Sequence, residues 1–281
     1  MQKKKKKEDQ AAADAVKKMI DDLPEVKDIK PENKSSVDAV QKQYDKLTED
    51  QKALVPQTEK DKLAALQKAL AGDDQKVAEE FTAAVNAVPG NKAGEGKGLL
   101  DKATAIYQTM TDAQKALVTT DTMDLYNEEV EAFKKGRKFR SGDGYYKVLS
   151  NGDVTYLYPA DKDATGIVVP NQVKKGKFMF KVIKISTLAF DGCTNLKWVV
   201  IHKNIRVIGE YAFNETTSLI KINVMGSSFV TGKVIDAFGK AGKKDGESLT
   251  VKVPSAKVSS YDRLFKGEGK LNQKAKVVKA A

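Results

Sequence analysis

In the C-terminal half of the chain, the apolar positions of one segment return 23 residues later. The string KISTLAFDGCTNLKWVVIH at 184–202 is followed by RVIGEYAFNETTSLIKINVM at 206–225. The matching positions are Ile185 and Ile208, Ala189 and Ala212, Phe190 and Phe213, Leu196 and Leu219, and Val199 and Ile222. Such a period is typical of repeat proteins, in which each unit supplies a strand and a turn and must stack on its neighbour to bury its apolar edge. The pattern therefore predicts stacked repeats with a broad outer surface, which favours recognition over catalysis.

The N-terminal half has a helical pattern that is duplicated. YDKLTEDQKALV at 44–55 returns as YQTMTDAQKALV at 107–118. Apolar residues recur at helical spacing, as in Leu63, Leu66 and Leu70. We predict two copies of one three-helix module, with helices near 9–22, 34–47 and 58–71 in the first copy and near 74–88, 98–109 and 121–135 in the second.

The duplicated string has a local folding explanation. The hydroxyl of Thr48 or Thr111 can accept a backbone N–H three residues on, while Gln51 or Gln114 reaches back to the threonine. Each string is therefore expected to begin a short capped helical turn. Gly72 is suited to a left-handed helix end, which would separate the two modules.

The C-terminal repeat resembles that of the BspA-type leucine-rich-repeat surface proteins, which many anaerobic bacteria secrete. AFDGCTNLKWVVI at 189–201 reproduces the family's order of an Ala-Phe pair, a Gly-Cys pair and spaced leucine, valine and isoleucine positions. The next unit has Glu215 and Thr216 where Gly192 and Cys193 stand in the first.

The resemblance extends over residues 138–281. Residues 144–173 resemble the family's opening strands, and residues 249–279 resemble its closing segment. The helical modules, with a string of Tyr, LT, QK and LV that returns with Met110 in place of the leucine of LT, resemble spacer modules of Gram-positive surface proteins. The resemblance implies an architecture and a surface location, and it says almost nothing about the ligand.

Together these patterns predict an α+β multidomain fold, with two tandem three-helix bundles followed by a short leucine-rich-repeat domain of β-solenoid-like form. The expected domains are a basic disordered tail at 1–10, a first helical module at 11–72, a second at 73–137 and the repeat domain at 138–281.

Charge divides at the same boundary as the pattern. The chain carries a net charge of +11, of which residues 138–281 contribute +13 and residues 11–137 contribute −5. Such an excess attracts polyanions in a salt-dependent way. Wall teichoic acids, sulfated or sialylated host glycans and nucleic acid are the candidates, and the alternative is that the lysines only keep the protein soluble.

The beginning of the chain contains no segment typical of targeting. The lysine run Lys3 to Lys7 is followed by AAADAVKKMIDDL, which is amphipathic, and no apolar run reaches the length of a membrane span. The family resemblance implies a secreted or cell-surface protein whose export signal was removed before Met1. A cytosolic protein with a frayed basic tail is the alternative.

The residue types offer little for catalysis or cofactor binding. His202 and Cys193 are the only histidine and cysteine, so the chain has one possible Cys–His pair, no His-rich metal cluster and no internal disulfide. By the resemblance, Cys193 occupies a core position. The glycine-containing segment 239–247 lacks the spacing of a phosphate-binding loop. We therefore predict a non-enzymatic protein without a cofactor.

Strand alternation in the repeats predicts which side chains face outward. The exposed positions in two successive repeats are Trp198, Val200 and His202, and then Lys221, Asn223 and Met225. A lone tryptophan beside lysines is a plausible platform for a sugar ring or an anionic polymer. The alternative is that Trp198 covers the join to the helical domain or another sheet.

We therefore expect adhesion or wall attachment, in which the repeat face holds an anionic polysaccharide or cell-wall polymer and the helical modules act as a stalk. The alternative is a module that captures a host or bacterial protein, which salt-tolerant one-to-one binding would distinguish. Nucleic acid is the weakest candidate, because the chain has no helix-turn-helix, zinc-finger or aromatic RNA-binding signature.

Overall fold

The computed structural model describes residues 2–88, 90, 92–242 and 249–280. The chain divides into two compact units. One contains Met1–Ala83 and Ala105–Thr120, and the other contains Ala84–Thr104 and Asp121–Ala281. A helical N-terminal region is followed by a region that contains two sheets, as the sequence predicts.

The helices of the N-terminal region are α1 (Gln2–Asp21), α2 (Lys34–Asp45), α3 (Glu49–Leu54), α4 (Gln57–Asn86), α5 (Gly96–Thr109), α6 (Asp112–Ala116) and α7 (Thr120–Ala132). Short 3₁₀ turns at Val26–Asp28 and Pro31–Asn33 connect α1 to α2. The helices of the first module enclose a cluster of buried aliphatic side chains, including Val16, Ile20, Val37, Leu63 and Leu66.

Both copies of the duplicated string form the predicted reciprocal cap. In the first copy, the backbone N–H of Gln51 donates to the Thr48 hydroxyl (3.3 Å) and the backbone N–H of Thr48 donates to the side-chain oxygen of Gln51 (3.0 Å). In the second copy, Thr111 and Gln114 make the same two bonds at 2.9 and 3.2 Å. The prediction that the string serves folding is confirmed at these positions.

The capping glutamines also make a tertiary contact that the sequence did not reveal. The side-chain amide of Gln51 donates to Asp9 Oδ1 (2.9 Å), and that of Gln114 donates to Asp74 Oδ1 (3.0 Å). Asp74 is buried and also accepts a hydrogen bond from Lys34 Nζ at 2.8 Å. The two glutamines therefore link α3 to α1 and α6 to α4 by hydrogen bonds.

Two local predictions for the helical region are wrong. Helix α4 runs without a break through Gly72, whose φ is not positive, so the helices predicted at 58–71 and 74–88 are one helix. A glycine inside a helix costs only about 1 kcal/mol relative to alanine, and no proline lies near Gly72 to end the helix there. Residues 2–10 lie in α1 in place of the predicted disordered tail, because lysine and glutamine are good helix formers.

The C-terminal region contains the strands β1 (Lys138–Ser141), β2 (Gly144–Val148), β3 (Val154–Pro159), β4 (Gly166–Val169), β5 (Gln172–Lys175), β6 (Phe178–Ile185), β7 (Trp198–Ile201), β8 (Val207–Ile208), β9 (Lys221–Val224), β10 (Thr250–Val253) and β11 (Lys276–Lys279). Helix α8 (Val258–Gly267) separates the last two strands. One sheet has the order β1-β2-β3-β6-β5, with β8 also paired to β6, and the other has the order β11-β10-β9-β7-β4.

The 23-residue spacing of the sequence corresponds to the register of neighbouring strands. Ile185 of β6 lies beside Ile208 of β8, and Val199 of β7 lies beside Ile222 of β9. All pairings in the second sheet are parallel. Equivalent apolar residues of successive repeats are therefore direct neighbours in space.

A line of buried aromatic rings connects the repeats. Phe190 stacks on Phe213 with ring centroids 4.8 Å apart, and Phe213 stacks on Phe238 at 5.2 Å. Tyr156 continues the line at one end (5.4 Å) and Phe265 at the other (5.2 Å). We call these five residues the aromatic ladder. Phe238 belongs to the ladder although it follows Phe213 by 25 residues rather than 23. Within the irregular segment 226–248, residues 243–248 lie outside the described residues.

One acidic side chain in the second unit is buried with a carboxylate oxygen that has no hydrogen-bond partner among the described residues. This residue is Glu129 on α7, which is 1% exposed, and the oxygen is its Oε2. Burial raises the pKa of Glu129 to about 7; Lys177 opposes the rise and Glu128 adds to it. Glu128 itself pairs with Lys177 at 3.2 Å. The charged form of Glu129 is therefore disfavoured in the folded protein.

Truncation of the ladder ring Phe213 to alanine should destabilise the repeat region by about 3–5 kcal/mol, because the cavity opens between two stacked neighbours. Urea unfolding measures this change. Tyr211→Ala is the matched control, since Tyr211 is 46% exposed, and it should cost far less. Equal losses for the two variants would contradict a central role for the ladder.

Glu129→Gln should change how stability depends on pH. The stability that the neutral carboxyl contributes is fully present below its unfolded pKa of about 4.3, and it is lost as the pH rises through the folded value. The variant should therefore be more stable than the wild type by about 1–3 kcal/mol near pH 8.5, with little difference near pH 4. Urea unfolding at both pH values, with exposed Asp124→Asn as the control, checks this. Parallel pH profiles for wild type and Glu129→Gln would contradict it.

Candidate functional site

The parallel sheet presents one regular outer surface. Its inward positions, such as Ile167, Val199, Ile222 and Val251, are buried. The residues between them form what we call the outer sheet face: Gly166 and Val168 on β4, Trp198 and Val200 on β7, Lys221 and Asn223 on β9, Thr250 and Lys252 on β10, and Lys276 and Val278 on β11.

The strand register arranges these residues in two rows. The first row is Gly166, Trp198, Lys221, Thr250 and Lys276, and the second is Val168, Val200, Asn223, Lys252 and Val278. Each row runs across all five strands. Because neighbouring strands lie about 4.8 Å apart, adjacent members of a row are close enough to contact one ligand together.

The six residues that the sequence predicts for the exposed face lie on β7 and β9 or directly after them. Trp198 is the register partner of Lys221, and Val200 is the partner of Asn223. Trp198, Lys221 and Met225 are exposed, while Val200, His202 and Asn223 are half-buried. His202 and Met225 follow the strand ends, where the backbone N–H of His202 donates to Val169 O at 3.1 Å and that of Met225 donates to Ile201 O at 2.8 Å.

The indole of Trp198 lies over the neighbouring strand. Its ring occupies the space that a Cβ on Gly166 would need, since Cε2, Cζ2 and Nε1 all crowd that position. The glycine therefore lets the ring lie close to the backbone of β4, and Trp198 remains 41% exposed. Sequence reasoning missed Gly166, although a glycine opening an apolar strand is a known sign of close approach by another group.

Two lysines of the outer sheet face also escaped sequence analysis. Lys252 and Lys276 lie on β10 and β11, outside the recognisable repeat, and only the register places them on the same face as Lys221. The five strands GIVV, WVVI, KINV, TVKV and KVVK contain no aspartate or glutamate. The face is therefore positively charged, with an aromatic ring at one side.

The structure gives Cys193 no features of a nucleophile. Its side chain is fully buried, and burial raises the pKa of the thiol, which disfavours the reactive thiolate. Within the described residues, no group of three or more His, Cys, Asp or Glu side chains could hold a metal ion. Most of the glycine-containing segment 239–247 lies outside the described residues.

A helix that crosses a membrane must be both long and strongly apolar. Over the described part of the chain, none of the helices combines the length and the apolar character needed to cross a bilayer.

Gly166→Ala should displace the indole of Trp198, because the added methyl group overlaps the ring. Trp198 is the only tryptophan in the chain, so its fluorescence reports on this site alone. We expect a red-shifted emission maximum and stronger quenching by acrylamide, whereas Val168→Ala on the same strand should leave both unchanged. An unaltered emission spectrum for Gly166→Ala would contradict the packing of the ring on β4.

Comparison with known proteins identifies the repeats. The profile described as "BspA type Leucine rich repeat region (6 copies)" matches residues 171–235, a narrower range than the 138–281 expected from the resemblance. Among curated proteins, none matches the chain.

Three solved structures are similar to parts of the chain. A leucine rich cell surface protein from Faecalibacterium prausnitzii is 17% identical over 52% of this chain, with a TM-score of 0.34. A leucine-rich repeat protein from Bacteroides capillosus is 19% identical over 41% of this chain (TM-score 0.30), and a T. pallidum leucine rich repeat protein is 18% identical over 51% (TM-score 0.31). The chain covers 43%, 97% and 65% of these proteins, respectively. By this match, residues 171–235 are similar to the BspA type of leucine-rich repeat region.

Proposed function

We propose that this protein is a non-enzymatic, secreted or cell-surface binding protein that attaches through its outer sheet face to an anionic polymer of a bacterial wall or a host surface. In this proposal the strands form a short solenoid. The helical region forms two three-helix modules, at 11–72 and 73–137, that share the continuous helix α4 and act as a spacer for the repeat domain at 138–281. Trp198, Val200, His202, Lys221, Asn223 and Met225 contribute to the binding face.

The observation that carries the proposal is the charge pattern of the outer sheet face. Lys221, Lys252 and Lys276 lie on three neighbouring strands, and no acidic residue occurs in any of the five strands. One exposed ion pair contributes only about 0.2–1 kcal/mol, so useful affinity requires several simultaneous contacts. A polymer with repeated negative charges supplies such contacts, whereas a small anion does not.

The distribution of charge along the chain supports different roles for the two regions, with binding in the repeat region and a spacer in the helical region. Residues 11–137 carry a net charge of −5, while residues 138–281 carry +13. A polyanion is therefore attracted to the repeat region and repelled by residues 11–137. This difference favours a helical region that serves as a spacer and leaves binding of the polymer to the basic repeat region.

Protein recognition is the second candidate, because the same side of the sheet also exposes apolar side chains. Val168 and Met225 are 46% and 47% exposed, and Trp198 accompanies them. Tryptophan and methionine are enriched in the centres of protein interfaces. Binding of this kind would saturate at one partner per copy and would tolerate salt.

Co-sedimentation of the full-length protein with purified bacterial walls tests the proposal. We expect binding that falls with rising salt, because screening weakens charge attraction over a Debye length of about 8–10 Å. Walls stripped of their anionic polymers should bind much less protein. Salt-tolerant, saturable binding to stripped walls would instead favour protein recognition.

Charge reversal at Lys221 should weaken wall binding by about fivefold, which corresponds to about 1 kcal/mol for one contact. Lys42→Glu is the matched control, since it changes the net charge equally at an exposed position on α2. Equal losses for the two variants would show that overall charge, rather than the outer sheet face, governs attachment.

A further inference from the structure

The first row of the outer sheet face presents its binding groups on every second strand. The indole of Trp198 leans from β7 onto β4 and lies over Gly166. Lys221 follows on β9, two strands away from the indole, and Lys276 follows on β11, two strands further on. Between the two lysines, β10 contributes the uncharged Thr250.

This arrangement has a regular spacing. Since neighbouring strands lie about 4.8 Å apart, two strand spacings amount to about 9.6 Å, and the row spans about 19 Å from the indole to Lys276. Two linked hexose rings have a length close to two strand spacings. A polysaccharide that carries one acid group in each disaccharide would therefore bring its charges to the lysines in register.

The direction of such a ligand follows from where the charges repeat. Along β9, Lys221 is followed on the same face by Asn223 and then Met225, so a chain that ran parallel to the strands would leave the positive charge after one contact. Across the strands, charge recurs at Lys221 and Lys276, and Lys252 adds a third lysine in the second row.

The indole distinguishes between classes of anionic polymer. Its exposed face is apolar and suited to the CH face of a sugar ring, whereas a polyol phosphate or polyphosphate chain offers charge without a ring. Asn223 lies in the second row, two residues after Lys221 on the same strand. Its side-chain amide can donate hydrogen bonds to hydroxyl groups and can accept hydrogen bonds from them. The outer sheet face therefore offers an indole for a sugar ring, an amide for hydroxyl groups and lysines for acid groups.

We infer that the outer sheet face binds a linear acidic polysaccharide that lies across the five strands, with a sugar ring on Trp198 and acid groups of successive disaccharides at Lys221 and Lys276. This inference rests on the proposed function and specifies its ligand class. Gly166 acts as a positioning residue, because it allows the ring to lie close to the backbone of β4.

The test uses the full-length protein and hyaluronan oligosaccharides, which carry one carboxylate in each disaccharide, with calorimetry and Trp198 fluorescence as readouts. Affinity should rise about threefold to fivefold from two sugars to six, because only the longer chain reaches Lys276, and it should then level off. Hyaluronan should change the tryptophan emission. Polyphosphate of equal charge should bind more weakly and leave the emission unchanged.

Lys276→Gln should weaken binding of the six-sugar chain about threefold to fivefold and leave the disaccharide unaffected. Lys279→Gln is the matched control on the same strand, because its register partner Val253 is buried and it lies on the opposite face from Lys276. It should change neither affinity.

Several results would overturn the inference while leaving the proposed function intact. These are equal affinity for two and six sugars, equal effects of Lys276→Gln and Lys279→Gln, or polyphosphate binding as tight as that of hyaluronan, provided that walls still bind through Lys221. Absence of salt-dependent binding to walls and to every polyanion would instead refute the proposed function itself.

Discussion

Stacking of buried aromatic rings between successive repeats is the constraint on which the C-terminal region depends. Phe190, Phe213 and Phe238 can stack only if their repeats lie in one register. That register places Val199 beside Ile222 in the interior and, on the other side of the same strands, Trp198 beside Lys221. Because side chains alternate along a strand, a slip of one residue would exchange the two faces. The buried ladder therefore determines which side chains can meet a ligand.

The helical region depends on a different interaction. There, one glutamine side chain both caps its own short helix and hydrogen-bonds to a neighbouring helix. The amide oxygen of Gln51 accepts a hydrogen bond within its own cap, while the amide nitrogen binds Asp9 on α1. Gln114 repeats this arrangement with Asp74. The duplication of the string is consequently well explained by folding, and the net negative charge of residues 11–137 makes that part of the chain a poor partner for a polyanion.

Much of the candidate site could be predicted from the sequence, because strand alternation alone separates Trp198 and Lys221 from their buried neighbours. Gly166 and Lys276 could not be assigned to it. Gly166 matters only because an indole from the next strand lies over it, and Lys276 belongs to a strand outside the recognisable repeat. The conformation of Glu215 could not be predicted either. It adopts a φ of 55°, at the position where the preceding repeat has Gly192. Its carboxylate forms an ion pair with Lys240 at 2.5 Å, although the two residues are 25 positions apart in the sequence.

The sequence by itself determined the repeat period, the inward and outward positions within each strand, the caps of the short helices and the partition of charge. These properties depend on local spacing and on residue type, which can be read without coordinates. Only the tertiary structure decided that α4 continues through Gly72, that β10 and β11 extend the parallel sheet, and that the indole lies on β4. Each of these depends on packing between segments that are distant in sequence, where small differences in burial energy select one arrangement among several that the local pattern allows.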